Sequence, residues 1–402
     1  MAGTNPLLIK GAQVWDAEAR GFATLDVRCS GARIELVAPH IEPRPGDVTL
    51  DAAGGFLLPG LIDCHVHIVS DGGPTDINKA AQEPPGLRAI RAAANARATV
   101  MAGFTTVRDL GAPGQLNIQI AKAIDEGLTP GPHVLAAGLG VTMTGGHGHG
   151  FLAREADGPD EVRKAVREQL RAGAKAIKLF ASGGVLTPGV DPRSPSFTQD
   201  ELAAGVEEAH KAFRVAAAHA QSTAGIKNAI RAGVDSIEHG VWLDDEAIGL
   251  MLERGTYLVA TLTAPAVMAE RGAAEGVAES AIAKSNQVLA DHIASFSAAV
   301  RAGVKVAMGT DQGTPLNRPG ENAQEILRTA RHGLSPAAAI LSATKWAAGL
   351  LKVEAGEVKP GLLADLVVFR QDPLGNLAAL TQTPALVVVD GVAVRNELPS
   401  RT

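Results

Sequence analysis

The chain has 402 residues, 46% of them hydrophobic and 20% charged, with a formal net charge of −6. Acidic and basic residues are interspersed, so no basic field points to nucleic acid or an anionic membrane, and aromatics at 3% are too few for the stacking platforms of single-strand binders. No apolar run approaches the roughly 18 residues that span a bilayer, the first residues lack a secretory leader pattern, and Cys29 and Cys64 form no disulfide framework; the expected location is cytoplasmic.

Residues 7–15 and 34–37 read as short strands separated by turn residues. Neither chain end can bury a core alone, and the tail is also strand-like, over 364–369 and over 385–394 with a hairpin turn at Asp390-Gly391. The spacing predicts one small β-sandwich domain built from residues 1–58 and 356–402. Residues 59–355 alternate strand and helix. Helices are expected over 161–172, over 198–213 with Thr198 and Glu201 as a capping box, over 324–330 and over 335–351. Strands centred at or ending on His65, Val107, Val134, Ile177, Ala217, Ile237, Val259 and Val306 predict an α/β fold of the (β/α)8 TIM barrel type.

The barrel's chemistry belongs at the strand ends, and metal-competent residues recur there. His65 and His67 are two apart on one strand and share a face. Lys178, His219, His239 and Asp311 follow at later strands. Imidazole and carboxylate together suit a borderline divalent ion, zinc foremost. A lysine ammonium cannot ligate, but a desolvated amine can react with CO2 to give an anionic carbamate. The expectation is two divalent ions bridged by carbamylated Lys178, one on His65, His67 and Asp311 and the other on His219 and His239.

This constellation resembles the amidohydrolase superfamily in its two-metal, carbamylated-lysine form. The motifs are Pro59-Gly60-Leu61-Ile62-Asp63-Cys64-His65-Val66-His67, Lys178 with Ser182-Gly183-Gly184, His219, Ile237-Glu238-His239-Gly240 and Gly309-Thr310-Asp311. It is most similar to the imidazolonepropionase-related group that includes Xaa-Pro dipeptidases and carboxypeptidases acting on N-acyl amino acids. The bridging lysine argues against imidazolonepropionase activity itself. The resemblance implies hydrolysis of an amide C–N bond by a metal-bridging hydroxide, with Asp311 as proton shuttle. It also implies a small-molecule substrate and a homo-oligomer. The loop Thr142-Met143-Thr144-Gly145-Gly146-His147-Gly148-His149 is similar to one in which the histidine polarises the substrate carbonyl, matching His147; His149 is a second candidate for substrate contact. Where many relatives have a tyrosine for the substrate carboxylate, this chain has Gln221, so a neutral amide, carbamate or lactam substrate stays open; a lactone or phosphoester, which the same two-metal site can hydrolyse, and a non-catalytic scaffold of the same fold are the further alternatives. Segments 70–85, 142–153 and 186–197 are expected to set specificity, with Leu262 and Thr263 on the leaving-group side.

Overall fold

The computed structural model describes residues 5–74 and 82–400. Residues 75–81, within the expected specificity segment 70–85, lie outside the described residues. Both chain ends enter one eight-stranded sheet. Its N-terminal members are β1 (Leu7–Asp16), β2 (Gly21–Ser30), β3 (Arg33–Ala38), β4 (Val48–Asp51) and β5 (Phe56–Pro59).

The middle of the chain supplies β6 (Leu61–Val66), β7 (Phe104–Asp109), β8 (His133–Ala136), β9 (Gly140–Thr142), β10 (Ala153–Glu155), β11 (Ala176–Phe180), β12 (Val215–Ala220), β13 (Ser236–His239) and β14 (Tyr257–Val259). The tail returns as β15 (Leu366–Phe369), β16 (Leu386–Val389) and β17 (Val392–Asn396). The terminal sheet runs β17-β16-β15-β5-β1-β2-β3, with β4 on β1. Leu7, Ile9, Val27, Ile34, Leu366 and Val388 from both ends share one buried cluster. At the hairpin, Asp390 and Gly391 both take positive φ, 49° and 74°, the pair of values a two-residue turn needs to match strand twist.

All pairings in the central region are parallel, in a three-stranded sheet β6-β7-β8 and a six-stranded sheet β10-β9-β11-β12-β13-β14. Every residue of β6, β7, β11 and β12 is buried, as expected of parallel strands covered on both faces. Backbone bonds link the two sheets: Lys175 N–H donates to Ala136 O at 2.8 Å. On the other side, residue 258 bridges Val306 and Cys64 N–H donates to Met308 O at 2.8 Å. The expected strand at Val306 is thus reduced to an isolated bridge. β9 and β10, which the sequence reading did not anticipate, carry the 142–153 loop onto the edge of β11, at Leu179–Val141.

The Thr198–Glu201 capping box forms, on helix Gln199–Lys211. The helix expected over 335–351 is instead two, Pro336–Ser342 and Lys345–Leu351. The break frees two carbonyls: Met308 N–H donates to Ser342 O and Ile62 N–H, in β6, to Ala343 O, both at 2.8 Å. No glycine or proline marks that break, since the partners lie far off in sequence.

Candidate metal centre

β6 delivers His65, with His67 just beyond its end, their rings 5.5 Å apart. His219 lies near the C-terminal end of β12 and His239 ends β13. Those two rings are 4.5 Å apart, and His239 is 5.2 Å from His65. Asp311 N–H donates to His65 O at 2.8 Å. That bond aims Asp311 Oδ1 to within 3.3 Å of His65 Nε2 and 3.2 Å of His67 Nε2. His239 and Asp311 hold φ of 70° and 60°, left-handed values that cost a non-glycine residue of order 1–3 kcal/mol and cluster at functional sites.

Each imidazole uses one nitrogen outward. His65 Nδ1–H donates to Glu238 Oε2 at 2.8 Å, and His67 Nδ1–H to Gly111 O at 2.9 Å. His239 Nδ1–H donates to Thr261 Oγ1 at 2.7 Å, whose own proton goes to Ala260 O. His219 Nε2–H donates to Gly183 O at 2.9 Å. The lone pairs turned to the centre are then Nε2 of His65, His67 and His239 and Nδ1 of His219. Burial, reinforced by neighbouring positive groups, holds His65, His219 and His239 well below the usual histidine pKa, so these rings are neutral. Burial pushes Asp311 up, but His65 and His67 outweigh it and hold the carboxyl at about 2.

Lys178 is the third of five residues in β11, not its last. Burial lowers its ammonium to about 8 against the pull of Glu238 and Asp311, so neutral amine is available to react with CO2. Neutral imidazoles, an ionised carboxylate and this amine are the donor chemistry of a divalent metal site, and ligand atoms of His65, His239 and Asp311 lie within 4.8 Å of one another.

Beneath the centre lies a layer the sequence reading passed over. Arg108 and Glu238 form a fully buried ion pair at 2.9 Å. Arg108 also donates to Cys64 O and Ser236 Oγ, at 2.6 and 3.1 Å. Asp63 is fully buried and accepts from Thr310 Oγ1, Asn322 Nδ2 and His65 N–H at 2.6, 2.8 and 3.0 Å, tying the Asp311 segment to β6. Burial nevertheless pushes Asp63 up to about 6.

His65, His67, Lys178, His219, His239 and Asp311 all border one cavity of about 680 Å³ including its open mouth, as do His147 and Gln221. His147 is buried, its Nδ1 2.7 Å from Thr187 Oγ1 and its ring 4.6 Å from that of His219. Gly184 packs beneath it: a Cβ there would stand 2.4 Å from His147 Nε2. Gln221 Oε1 is buried with no hydrogen-bond partner among the described residues. His149 does not border the cavity; its Nδ1 bonds Gly146 O at 2.8 Å. His292 does border it and donates from Nε2 to His239 O at 2.9 Å. Leu262 and Thr263 are turned away, their N–H groups donating to Glu325 at 2.8 and 2.7 Å, and Ala264, Pro265 and Met268 line the cavity instead.

The Amidohydrolase family profile matches residues 56–394. Ochratoxinase of Aspergillus niger is 33% identical over 363 residues, covering 83% of this chain and 74% of that enzyme. A crystal structure of a Xaa-Pro dipeptidase with methionine in its active site superposes with a TM-score of 0.88 at 32% identity, over 97% of this chain and 100% of that one. A prolidase complexed with N-methylphosphonate-L-proline gives 0.91 at 31% identity, over 97% and 100%.

Proposed function

The chain belongs to the amidohydrolase family, and from that premise we propose that it hydrolyses an amide C–N bond of a dipeptide or N-acyl amino acid-like substrate at a binuclear metal centre. The carrying observation is the convergence of His65 Nε2 and His67 Nε2 on Asp311 Oδ1, with all four imidazoles locked by outward hydrogen bonds. His65, His67 and Asp311 would hold one ion and His219 and His239 the other. Lys178 would join both after its amine adds CO2 and releases a proton. When bound, such ions supply an acidified water and a Lewis acid for the scissile carbonyl.

The protein's own groups then carry the protons. Asp311, ionised at neutral pH, accepts a proton from the attacking water and passes it to the leaving nitrogen. The Thr187 hydroxyl accepts from Gly148 N–H at 3.0 Å and donates to His147 Nδ1. That leaves the ring proton on Nε2, able to donate to the carbonyl oxygen. Apart from Lys178, no lysine or arginine lines the cavity among the described residues, whereas Leu152, Val185, Leu186, Val241, Met268 and Val288 do. A bulky apolar acyl or side-chain group fits those walls. Gln221 favours a neutral amide or carbamate at the position it faces. The linked parallel sheets support a (β/α)8 barrel over 59–355, and the shared cluster of terminal strands supports a sandwich of 1–58 with 356–402. A homo-oligomer and a cytoplasmic location complete the reading, the latter supported by two buried free thiols, Cys29 and Cys64; no described helix is long and apolar enough to cross a membrane.

The test is product release, read by mass spectrometry, from zinc-loaded protein offered N-acyl amino acids, Xaa-Pro dipeptides, carbamates, lactones and phosphotriesters. Cleavage of C–N bonds is expected. Metal-loaded protein that cleaved only esters would overturn the reaction class, and protein that bound no metal would favour the scaffold.

A further inference from the structure

Among the described residues, the histidine–carboxylate contacts no longer than 3.5 Å fall into two groups. His65 with Glu238, His210 with Asp235 and His40 with Glu42 stand at 2.8, 2.8 and 2.9 Å, and each is a hydrogen bond. Those are ordinary charge-assisted distances, about 2.7–2.9 Å. The Asp311 contacts of His65 and His67, at 3.3 and 3.2 Å, are longer. So are two contacts elsewhere: His133 Nε2 stands 3.3 Å from Asp365 Oδ2 and 3.5 Å from Asp390 Oδ1. Two ligand atoms held at zinc–ligand distances in a tetrahedron are about 3.3–3.5 Å apart.

His133 Nε2 and Asp365 Oδ2 are both buried and have no hydrogen-bond partner among the described residues. Asp365 is 2% exposed, and an unpartnered carboxylate oxygen so deeply placed is costly unless something positive meets it. Its other oxygen is committed, accepting from Asp390 N–H at 2.9 Å. We infer that His133, Asp365 and Asp390 bind a divalent transition-metal ion of the zinc class, separate from the candidate centre at Asp311. One imidazole and two carboxylates neutralise a dication and leave its remaining position to water at the half-exposed Asp390 side.

The site joins the two halves of the fold. His133 opens β8 of the three-stranded parallel sheet, Asp365 immediately precedes β15, and Asp390 sits in the turn between β16 and β17. Metal there would clamp the terminal sheet to the central one, so its binding would add to folding stability. A proton competes for the same place. Burial disfavours charge on His133, but the two carboxylates outweigh it and lift the ring to about 10.

Crystals of the full chain, grown at pH 8 with zinc in small molar excess, decide between the two occupants. The expected result is an anomalous difference peak about 2.0–2.2 Å from His133 Nε2, with metal content falling by one ion per chain in His133→Gln and in Asp390→Asn. Asn keeps the turn conformation, so Asp390→Asn folds even where the His133 variant does not. A wild-type map with no peak beside His133, or metal content unchanged in Asp390→Asn, would overturn the inference and leave a protonated imidazole between two carboxylates. Peaks at Asp311 are read separately in the same map, so failure of the proposed hydrolytic centre is not confused with failure here.

Discussion

Glu238 Oε2 accepts from His65 Nδ1 at 2.8 Å while its other oxygen pairs with Arg108 at 2.9 Å, all three side chains being buried. One carboxylate therefore fixes the tautomer of a candidate ligand and neutralises a cation in the interior. Glu238→Gln keeps the shape and removes the charge. Stability should fall by about 3–5 kcal/mol because Arg108 loses its anionic partner, and metal affinity by about 10- to 100-fold. Urea denaturation and metal titration check both. The double variant Arg108→Met with Glu238→Gln should regain stability without regaining affinity; full metal affinity in it would show that Glu238 does not act through His65.

Lys178→Ala should lose at least one of the two ions and nearly all turnover, with partial recovery on adding a short-chain carboxylic acid that occupies the vacated anionic position. Protein exchanged into ¹³C-bicarbonate should show a carbamate carbon by NMR, absent in the variant. Two ions retained at wild-type affinity would remove the carbamate from the mechanism.

Gly184→Ala places a methyl against His147 Nε2, where only 2.4 Å is available. The ring must shift, and kcat should drop about 10²- to 10³-fold, the range for losing one donor to the developing oxyanion. Metal content should be unaffected. A parallel His147→Ala should give a similar kcat; a large rise in KM with unchanged kcat in both would reassign His147 to ground-state binding.

Glu325 is fully buried, and burial pushes its carboxyl up to about 7 even though Thr263 Oγ1 and the N–H groups of Leu262 and Thr263 donate to it. With its folded pKa above the unfolded one, the native state binds more protons between roughly pH 4.5 and 7, so this group makes stability fall as pH rises through that window. Glu325→Gln should remove that slope. Against the variant, the wild type should lose about 1–3 kcal/mol between those limits, measured by urea denaturation at each pH. Parallel curves would mean that Glu325 stays ionised.

Local signals were the legible ones. The i, i+2 spacing of His65 and His67, the Thr198–Glu201 capping box and the Asp390-Gly391 turn are contained in a few neighbouring residues, and each forms the geometry its spacing requires. What could not be read depends on partners remote in sequence. The helix expected over 335–351 breaks where the carbonyls of Ser342 and Ala343 accept from Met308 and Ile62, remote in sequence. Leu262 and Thr263 turn from the cavity because Glu325 draws their N–H groups away. Arg108 and Glu238 are each unremarked alone, and only the fold makes them a pair.

The position of β5 also bears on synthesis. It pairs with β1, just upstream of it, and with β15, far downstream, where Leu58 meets Val367 and Leu57 meets Val368. Until β15 leaves the ribosome, β5 presents an unpaired edge to every neighbouring nascent chain, the condition under which strands join the wrong partner. A rearranged gene encoding residues 5–59 after residue 400 would let the whole sheet emerge in one piece and close that interval.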